Sequence, residues 1–453
     1  MFKENNSWSK ISSGMISFRY FPKGFMFDVA GLCMFPNEKE NLKYFLGMCN
    51  TKVALEFAKI LSPTLNYEVG HISSFPIIFS ETHKPEIDSL VQENIEISKI
   101  DWDSFETSWD FEIHPLLDES KQGGQVPATI EKAYDNWKEY ANNNFAKLKK
   151  NEERLNEIFI EIYGLEDELT PEVSDKDITI TKIFDDKKDI YEDIKSNQYI
   201  LTKEDVIKSF ISYGVGCIFG RYSLDEKGLI YAGGEFDINR YKKFKPVEDN
   251  IVIITDKEYF KDDLVNRFIE FVKVAFGEET LEENLEFIAA SLKGKGTPRE
   301  KIRNYFLNDF YKDHVKTYKK RPIYWLYDSS AGKTKKSSQN GFKALIYMHR
   351  YNEDTTGKVR IDYLHKLQNR YENRIKLLQD NIVNSKDPKE VARSEKEIEK
   401  LTKQLKECKE YDEKLSHLAN TRVSIDLDDG VKVNYEKVQT DAKGKKYQIL
   451  AKI

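Results

Sequence analysis

The sequence predicts an α+β chain that is predominantly helical, ending in a long antiparallel helical hairpin and a small β tail. Three observations carry this. Apolar residues recur at helical spacing over most of the 453 positions. Runs that alternate with strand period are short and sit mainly near the two ends. Two apolar seams, at 364–382 and 391–418, flank a turn with a capping signature.

Length allows two to four domains with a sizeable core. Charged residues make up 33% and aromatic residues 13%, with a formal net charge of -6. So many Phe and Tyr residues exclude a disordered chain. Mild acidity argues against a general polyanion binder but allows a local basic face. Cys33, Cys49, Cys217 and Cys408 are scattered, with no zinc spacing, and read as buried or incidental thiols of a reducing cytosol. The N-terminus lacks an apolar targeting core, and no run of 18 apolar residues suggests a membrane span.

In order, Ile16, Phe18 and Tyr20 alternate, Phe21–Gly24 turns, and Phe25, Phe27 and Val29 alternate back. That is a hairpin signal, with Arg19, Tyr20 and Lys23 at its tip. Such residues can read base edges and phosphates, or simply form a solvated hairpin. The apolar surface of Trp8 and this hairpin has little chain before it to cover it. We therefore expect a truncation here, or a boundary where another chain docks.

Positions 41–61 read as one amphipathic helix stopped by Pro63, and the run through Gly70 to Ile78 as a strand, so that a helix docks on a small sheet. In 81–120, twelve carboxylates face only Lys84 and Lys99, marking a solvated face rather than a metal site. A helix is expected over 85–98, a hinge at Gln122–Gln125 and a long helix over 129–163.

Gly214, Gly216 and Gly220 invite a nucleotide-loop reading, but the spacing is wrong and helical residues precede them. Close helix packing is the better account. A strand is expected at 251–254, with helices at 259–276 and 280–292. In 311–343, nine basic residues face two aspartates and are interleaved with Tyr311, Tyr318, Tyr324, Trp325 and Tyr327, which suits phosphate-backbone contact or a solvated loop. Ala331–Thr334 mimics the end of a P-loop but lacks its first glycine. The seams from 360 to 419 should pair as an antiparallel coiled coil, with Asp387 as cap and Pro388 at the first helical position. The tail from 424 reads as strand, turn at Asp428–Gly430, strand, and a last strand at 447–453.

Several segments together resemble one family. They are DWDSFETSWDF (101–111), ISYGVGCIFGRYSLDEKGLIYA (211–232), RPIYWLYDS with GFKALIYMHRYN (321–352), and DLDDGVKVNY (426–435). In this order they resemble the C-terminal half of PglX, the adenine-specific DNA methyltransferases of bacteriophage-exclusion (BREX) systems. Asn50-Thr51-Lys52, Ser62-Pro63-Thr64, Gly70-His71-Ile72 and Pro76-Ile77 are similar to the turns closing the target-recognition domain of such enzymes.

The resemblance implies the end of a target-recognition domain at 1–80 and an acidic, long-helix connector at 81–175. A mixed α/β domain would cover 176–355, the coiled-coil hairpin 356–419 and the β tail 420–453. It implies double-stranded DNA as a partner, a cytoplasmic location, and DNA contacts at Arg19, Tyr20, Lys23, Asn50, Lys52 and Asn66, with Lys319, Lys320 and Arg321 on the phosphate backbone. The chain has no Pro-Pro pair for the family's base-holding loop and no strand-borne FxGxG for S-adenosylmethionine. The catalytic half, with that cofactor, is therefore expected elsewhere, as a separate chain or a lost portion. The rival expectation is a non-enzymatic scaffold for defence-complex proteins, using the hairpin and the acidic belt; a relic cassette is a third.

Overall fold

The computed structural model describes every residue except Met1, Ser13, Pro63 and Lys335. The helix-stopping role of Pro63, the middle of the Ser62-Pro63-Thr64 turn and the share of Lys335 in the basic segment lie outside the described residues. Helix accounts for 52% of the chain and strand for 8%, as the α+β, mainly helical expectation requires. The chain forms two compact units, Met1–Asp103 with Trp137–Thr202, and Ser104–Asn136 with Lys203–Ile453.

The first unit opens with three strands, β1 (Asn5–Ser9), β2 (Arg19–Phe21) and β3 (Gly31–Met34), in the order β2-β1-β3. Both outer strands run antiparallel to β1, pairing Asn6 with Tyr20 on one side and with Met34 on the other. The expected hairpin between 16–20 and 25–29 is therefore corrected. Phe25, Met26, Phe27 and Val29 lie in an exposed loop. Each edge strand completes its ladder on β1, whose Asn5, Asn6 and Trp8 are buried.

The stretch 41–61 is two helices, α1 (Leu42–Cys49) and α2 (Lys52–Leu61). Thr51 breaks them apart: its hydroxyl donates to Met48 O at 2.7 Å and accepts from Ala54 N–H, the start of a new helix. The strand expected up to Ile78 is also corrected. Gly70-His71-Ile72 lies in a one-turn helix, α3 (Val69–Ser73), which Glu68 and His71 close as a capping box. Next, α4 (Lys84–Trp102) extends the expected helix by a turn. It packs on α1 so closely that a Cβ at Gly47 would sit 2.9 Å from Val91. The long helix α5 (Ile130–Tyr163) matches its expectation, and the chain passes between the units within it. A parallel pair, β4 (Lys182–Phe184) and β5 (Ile200–Thr202), completes this unit.

In the second unit, α6 (Lys203–Phe219) precedes β6 (Ile251–Ile254). Four helices follow: α7 (Leu264–Phe276), α8 (Leu281–Ala290), α9 (Pro298–Asn308) and α10 (Phe310–Thr317). The residues 259–263, expected as helix, instead lead up to the Asp263 cap of α7, whose side chain accepts from Asn266 N–H. Strands β7 (Tyr324–Asp328) and β8 (Lys343–Tyr347) complete an antiparallel sheet in the order β6-β8-β7. Every residue of β6, β7 and β8 is buried.

Beyond the sheet come α11 (Thr355–Lys358), a π-turn at Val359–Leu364, and α12 (His365–Asn384) paired with α13 (Pro388–Thr421). The pairs His365–Asp412, Glu372–Lys409 and Arg374–Glu397 show that α12 and α13 run antiparallel. Asp387 caps α13 by accepting from Lys389 N–H at 2.9 Å. Asp387→Ala is expected to destabilise this helix end by about 1 kcal/mol, read as faster amide exchange at Lys389 and the residues after it.

The tail departs from its expectation. In place of the second strand stands α14 (Gly430–Lys437), and the last strand reduces to a bridge between Leu450 and Tyr327 at the edge of β7. Val431, Asn434, Tyr435 and Val438 turn inward, which is helical spacing, and Asn434 Nδ2 donates to Gly430 O one turn back.

Candidate nucleic-acid interface

In the first unit, the start of β2 is set by Asn50. Its Oδ1 accepts from Phe18 N–H at 2.9 Å, while its Nδ2 donates to Phe18 O and Leu46 O, both at 3.1 Å. That amide is engaged by main chain on both sides. Asn50 therefore positions β2 rather than offering its own edge to a base. What β2 presents is Arg19, exposed, with Nη1 on Phe18 O and Nη2 on Thr179 Oγ1, each at 3.1 Å. Tyr20 is half-buried and donates its hydroxyl to Glu4 at 2.9 Å, and Lys39 holds the same carboxylate at 2.6 Å. Lys23 is exposed in the turn that follows.

Lys52 starts α2, with its backbone N–H on Asn156 Oδ1 at 2.9 Å. Asn66 donates Nδ2 to Glu68 at 3.1 Å and bridges through its backbone to Ile11. Arg19, Tyr20 and Lys23 thus share one edge strand and its turn, Asn50 supports that strand, and Lys52 and Asn66 belong to other elements.

In the second unit, Lys319, Lys320 and Arg321 form the turn that closes α10. Lys320 N–H donates to Val315 O at 2.8 Å, the six-residue closure that normally uses glycine. Lys319 and Lys320 hold φ of 49° and 61°. Two lysines in the left-handed region carry backbone strain that glycine would relieve. All three side chains are exposed, and none makes an ion pair among the described residues.

The neighbouring basic residues behave otherwise. Lys333 binds Glu407 and Glu410, and Lys343 binds Asp328. The interleaved aromatic residues are core: Tyr311, Tyr324, Trp325 and Tyr327 are buried, and Tyr318 packs on the His314 ring at 4.7 Å. The composition of 311–343 therefore marks no stacking platform. Sequence reasoning passed over a second basic run, Arg240–Lys245. The Asp225 carboxylate accepts from the backbone N–H groups of Lys242 and Lys243, and both side chains are exposed. The density of NRYKKFKP was the available signal.

Gly214 and Gly216 do not fit a nucleotide or S-adenosylmethionine loop. Both lie inside α6, where a Cβ would come within 2.9 Å of Phe268 and Phe271 from Gly214, and closer still to the Tyr222 ring from Gly216. Among the described residues, no group of three or more His, Cys, Asp or Glu side chains could hold a metal ion. None of the described helices is long and apolar enough to cross a membrane. The four cysteines are free; burial pushes the Cys49 thiol up to about 12.

No protein-family model matches the chain. It is 42% identical over 446 residues to the adenine-specific methyltransferase PglX of Lacticaseibacillus casei (strain Zhang), covering 98% of this chain and 35% of that protein. It is 37% identical over 455 aligned positions to the adenine-specific methyltransferase BrxX of Escherichia coli O9:H4 (strain HS), covering 96% of this chain and 36% of that one. The match is thus to about a third of each relative rather than the half expected from the motifs. The chain belongs to the PglX and BrxX family of adenine-specific methyltransferases and spans about a third of the length of these members.

Proposed function

We propose that the chain is the DNA-recognition and C-terminal portion of a BREX-type methyltransferase acting on adenine N6 in anti-phage defence. The catalytic and S-adenosylmethionine-binding portion lies outside these residues. Arg19, Tyr20 and Lys23 approach the duplex from the first unit. Lys319, Lys320 and Arg321 hold phosphates from the second. The α12–α13 pair serves as a coiled-coil arm toward the catalytic portion or other BREX proteins. The setting is the cytoplasm, where the DNA is. The observation that carries this reading is the Lys319–Lys320 turn. A site that keeps two strained, unpaired lysines where glycine fits better is explained by a need for their charge.

That turn also supplies the test. Lys319→Gly/Lys320→Gly removes two charges and relieves two left-handed residues. The double variant is expected to melt higher than the parent while binding duplex DNA more weakly. Fluorescence anisotropy over a salt series should show the slope of log K against log salt flattened by about 1.8, at about 0.9 per phosphate contact. A parent slope near zero would refute DNA clamping altogether. An unchanged slope in the variant would remove this turn from the interface.

A further inference from the structure

We propose that the loop joining β2 to β3 is a wedge whose apolar side chains stack against the bases of duplex DNA. The proposal rests on the DNA-recognition reading above and specifies how the first unit would use it. Phe25 is 46% exposed, Met26 78%, Phe27 53% and Val29 72%. Three consecutive apolar residues and a fourth two positions on, all turned to solvent, call for a partner surface.

The loop is built rather than loose. At one root Gly24 takes φ of 104° and donates its N–H to Phe2 O at 3.2 Å. At the other, Asp28 Oδ1 accepts from Ala30 N–H at 2.8 Å and Gly31 N–H at 3.2 Å. Phe25 leans edge-on against Phe21 with centroids 5.5 Å apart, and Phe27 lies tilted against Phe35 at 5.6 Å. The tip between these supports carries Met26.

Charge selects the partner. Arg19 and Lys23 stand on the strand and turn leading into the loop, both exposed. Of the nearby carboxylates, Glu4 is engaged by Tyr20 and Lys39, Asp28 by backbone N–H groups and Glu38 by the Asn41 amide, while Glu152 faces Arg19. The surface therefore offers apolar rings beside two exposed cations, Lys23 and Arg19, the latter steadied by Phe18 O and Thr179 Oγ1. Nucleic acid has the complementary pattern, base faces within a phosphate frame. Wedges of Phe, Leu or Met between base steps act in this way, with flanking cations holding the strands.

The test uses the 453-residue chain and labelled duplex DNA. Phe25→Ala/Phe27→Ala should weaken binding by about tenfold or more at fixed salt, with the slope of log K against log salt unchanged, since no phosphate contact is lost. Melting temperature should fall only slightly, because each ring is about half exposed and packs on a single neighbouring ring. Phe25→Trp/Phe27→Trp should restore binding, and its indole fluorescence should be quenched on adding DNA. Arg19→Ala/Lys23→Ala should instead flatten the slope. If the alanine pair binds DNA like the parent, the wedge is overturned, while a steep parent slope leaves DNA recognition standing. If the alanine pair flattens the slope as the cation pair does, the rings only position cations and the wedge is again overturned. If the parent does not bind DNA, both readings fall together.

Discussion

Glu407→Ala is expected to destabilise the second unit by about 3–5 kcal/mol, the scale seen when one partner of a buried charged network is removed. Glu407 lies on α13, 2% exposed, and gathers the chain between β7 and β8. Its Oε1 accepts from Ser329 Oγ at 2.7 Å, Ser330 Oγ at 3.0 Å and Gly341 N–H at 2.9 Å. Its Oε2 accepts from Gln339 N–H at 3.0 Å and Lys333 Nζ at 3.3 Å. Alanine takes that acceptor from the Ser329 and Ser330 hydroxyls and the Gly341 and Gln339 N–H groups, each buried donor left unpaired costing about 1–3 kcal/mol, while Lys333 keeps Glu410. Glutamine barely helps, since its NH₂ must face a donor on one side or the other.

Urea unfolding followed by circular dichroism measures the loss. A change within about 0.5 kcal/mol would show that the segment is held by other contacts. Burial by itself would raise the carboxyl pKa of Glu407. The Gly341 and Gln339 N–H groups, the Ser329 hydroxyl and the Lys333 ammonium outweigh it and hold it below the ordinary carboxylate range. A depressed folded pKa stabilises above the unfolded value, about 4.3, and that contribution is lost as pH falls through the folded pKa. The advantage of the parent over Glu407→Gln should therefore be full at pH 7 and shrink on acidification below about pH 4.

The elements legible in the sequence were those whose signals are local and long. The α12–α13 pair announced itself through Asp387-Pro388 and two seams, and α5 through more than thirty residues of helical period. What failed were short apolar alternations. Phe25, Phe27 and Val29 alternate as a strand would, yet the partner that decides strand pairing is β1, which takes Arg19–Phe21 on one side and Gly31–Met34 on the other. Register of that kind is a tertiary outcome. Val431, Val433 and Tyr435 satisfy period two as well as a helix does over five residues, and Asn434, bonded to Gly430 O and to Asp426 O, tips the balance.

At the candidate interface, the sequence pointed to Lys319, Lys320 and Arg321 by charge alone. It could not show that two of them are held left-handed, nor that the tyrosines beside them face the core. Asn50 is a DNA-contact candidate only through its place in a three-residue turn. That its amide grips Phe18 depends on a contact 32 positions away.

Gly216→Ala is expected to destabilise the second unit by about 1–3 kcal/mol, although the same change in an open helix stabilises. Glycine within a helix is worth about 1 kcal/mol less than alanine, so the intrinsic term favours the variant. Packing opposes it. A Cβ at Gly216 would meet Tyr222 Cε2 at 2.9 Å, with Cδ2 nearer, and Tyr324 Oη at 3.3 Å. The Tyr222 ring cannot swing aside freely: it stacks on Tyr213 at 5.2 Å, and its hydroxyl accepts from Arg221 Nε at 3.0 Å. Displacing it costs the overpacking penalty and strains a charge-assisted hydrogen bond. Gly357 in α11 is the control, because a Cβ there meets nothing within 4 Å. Gly357→Ala should raise the melting temperature slightly, while Gly216→Ala lowers it by several degrees. If both substitutions raise it, close packing against Tyr222 is not what keeps glycine at position 216 of α6.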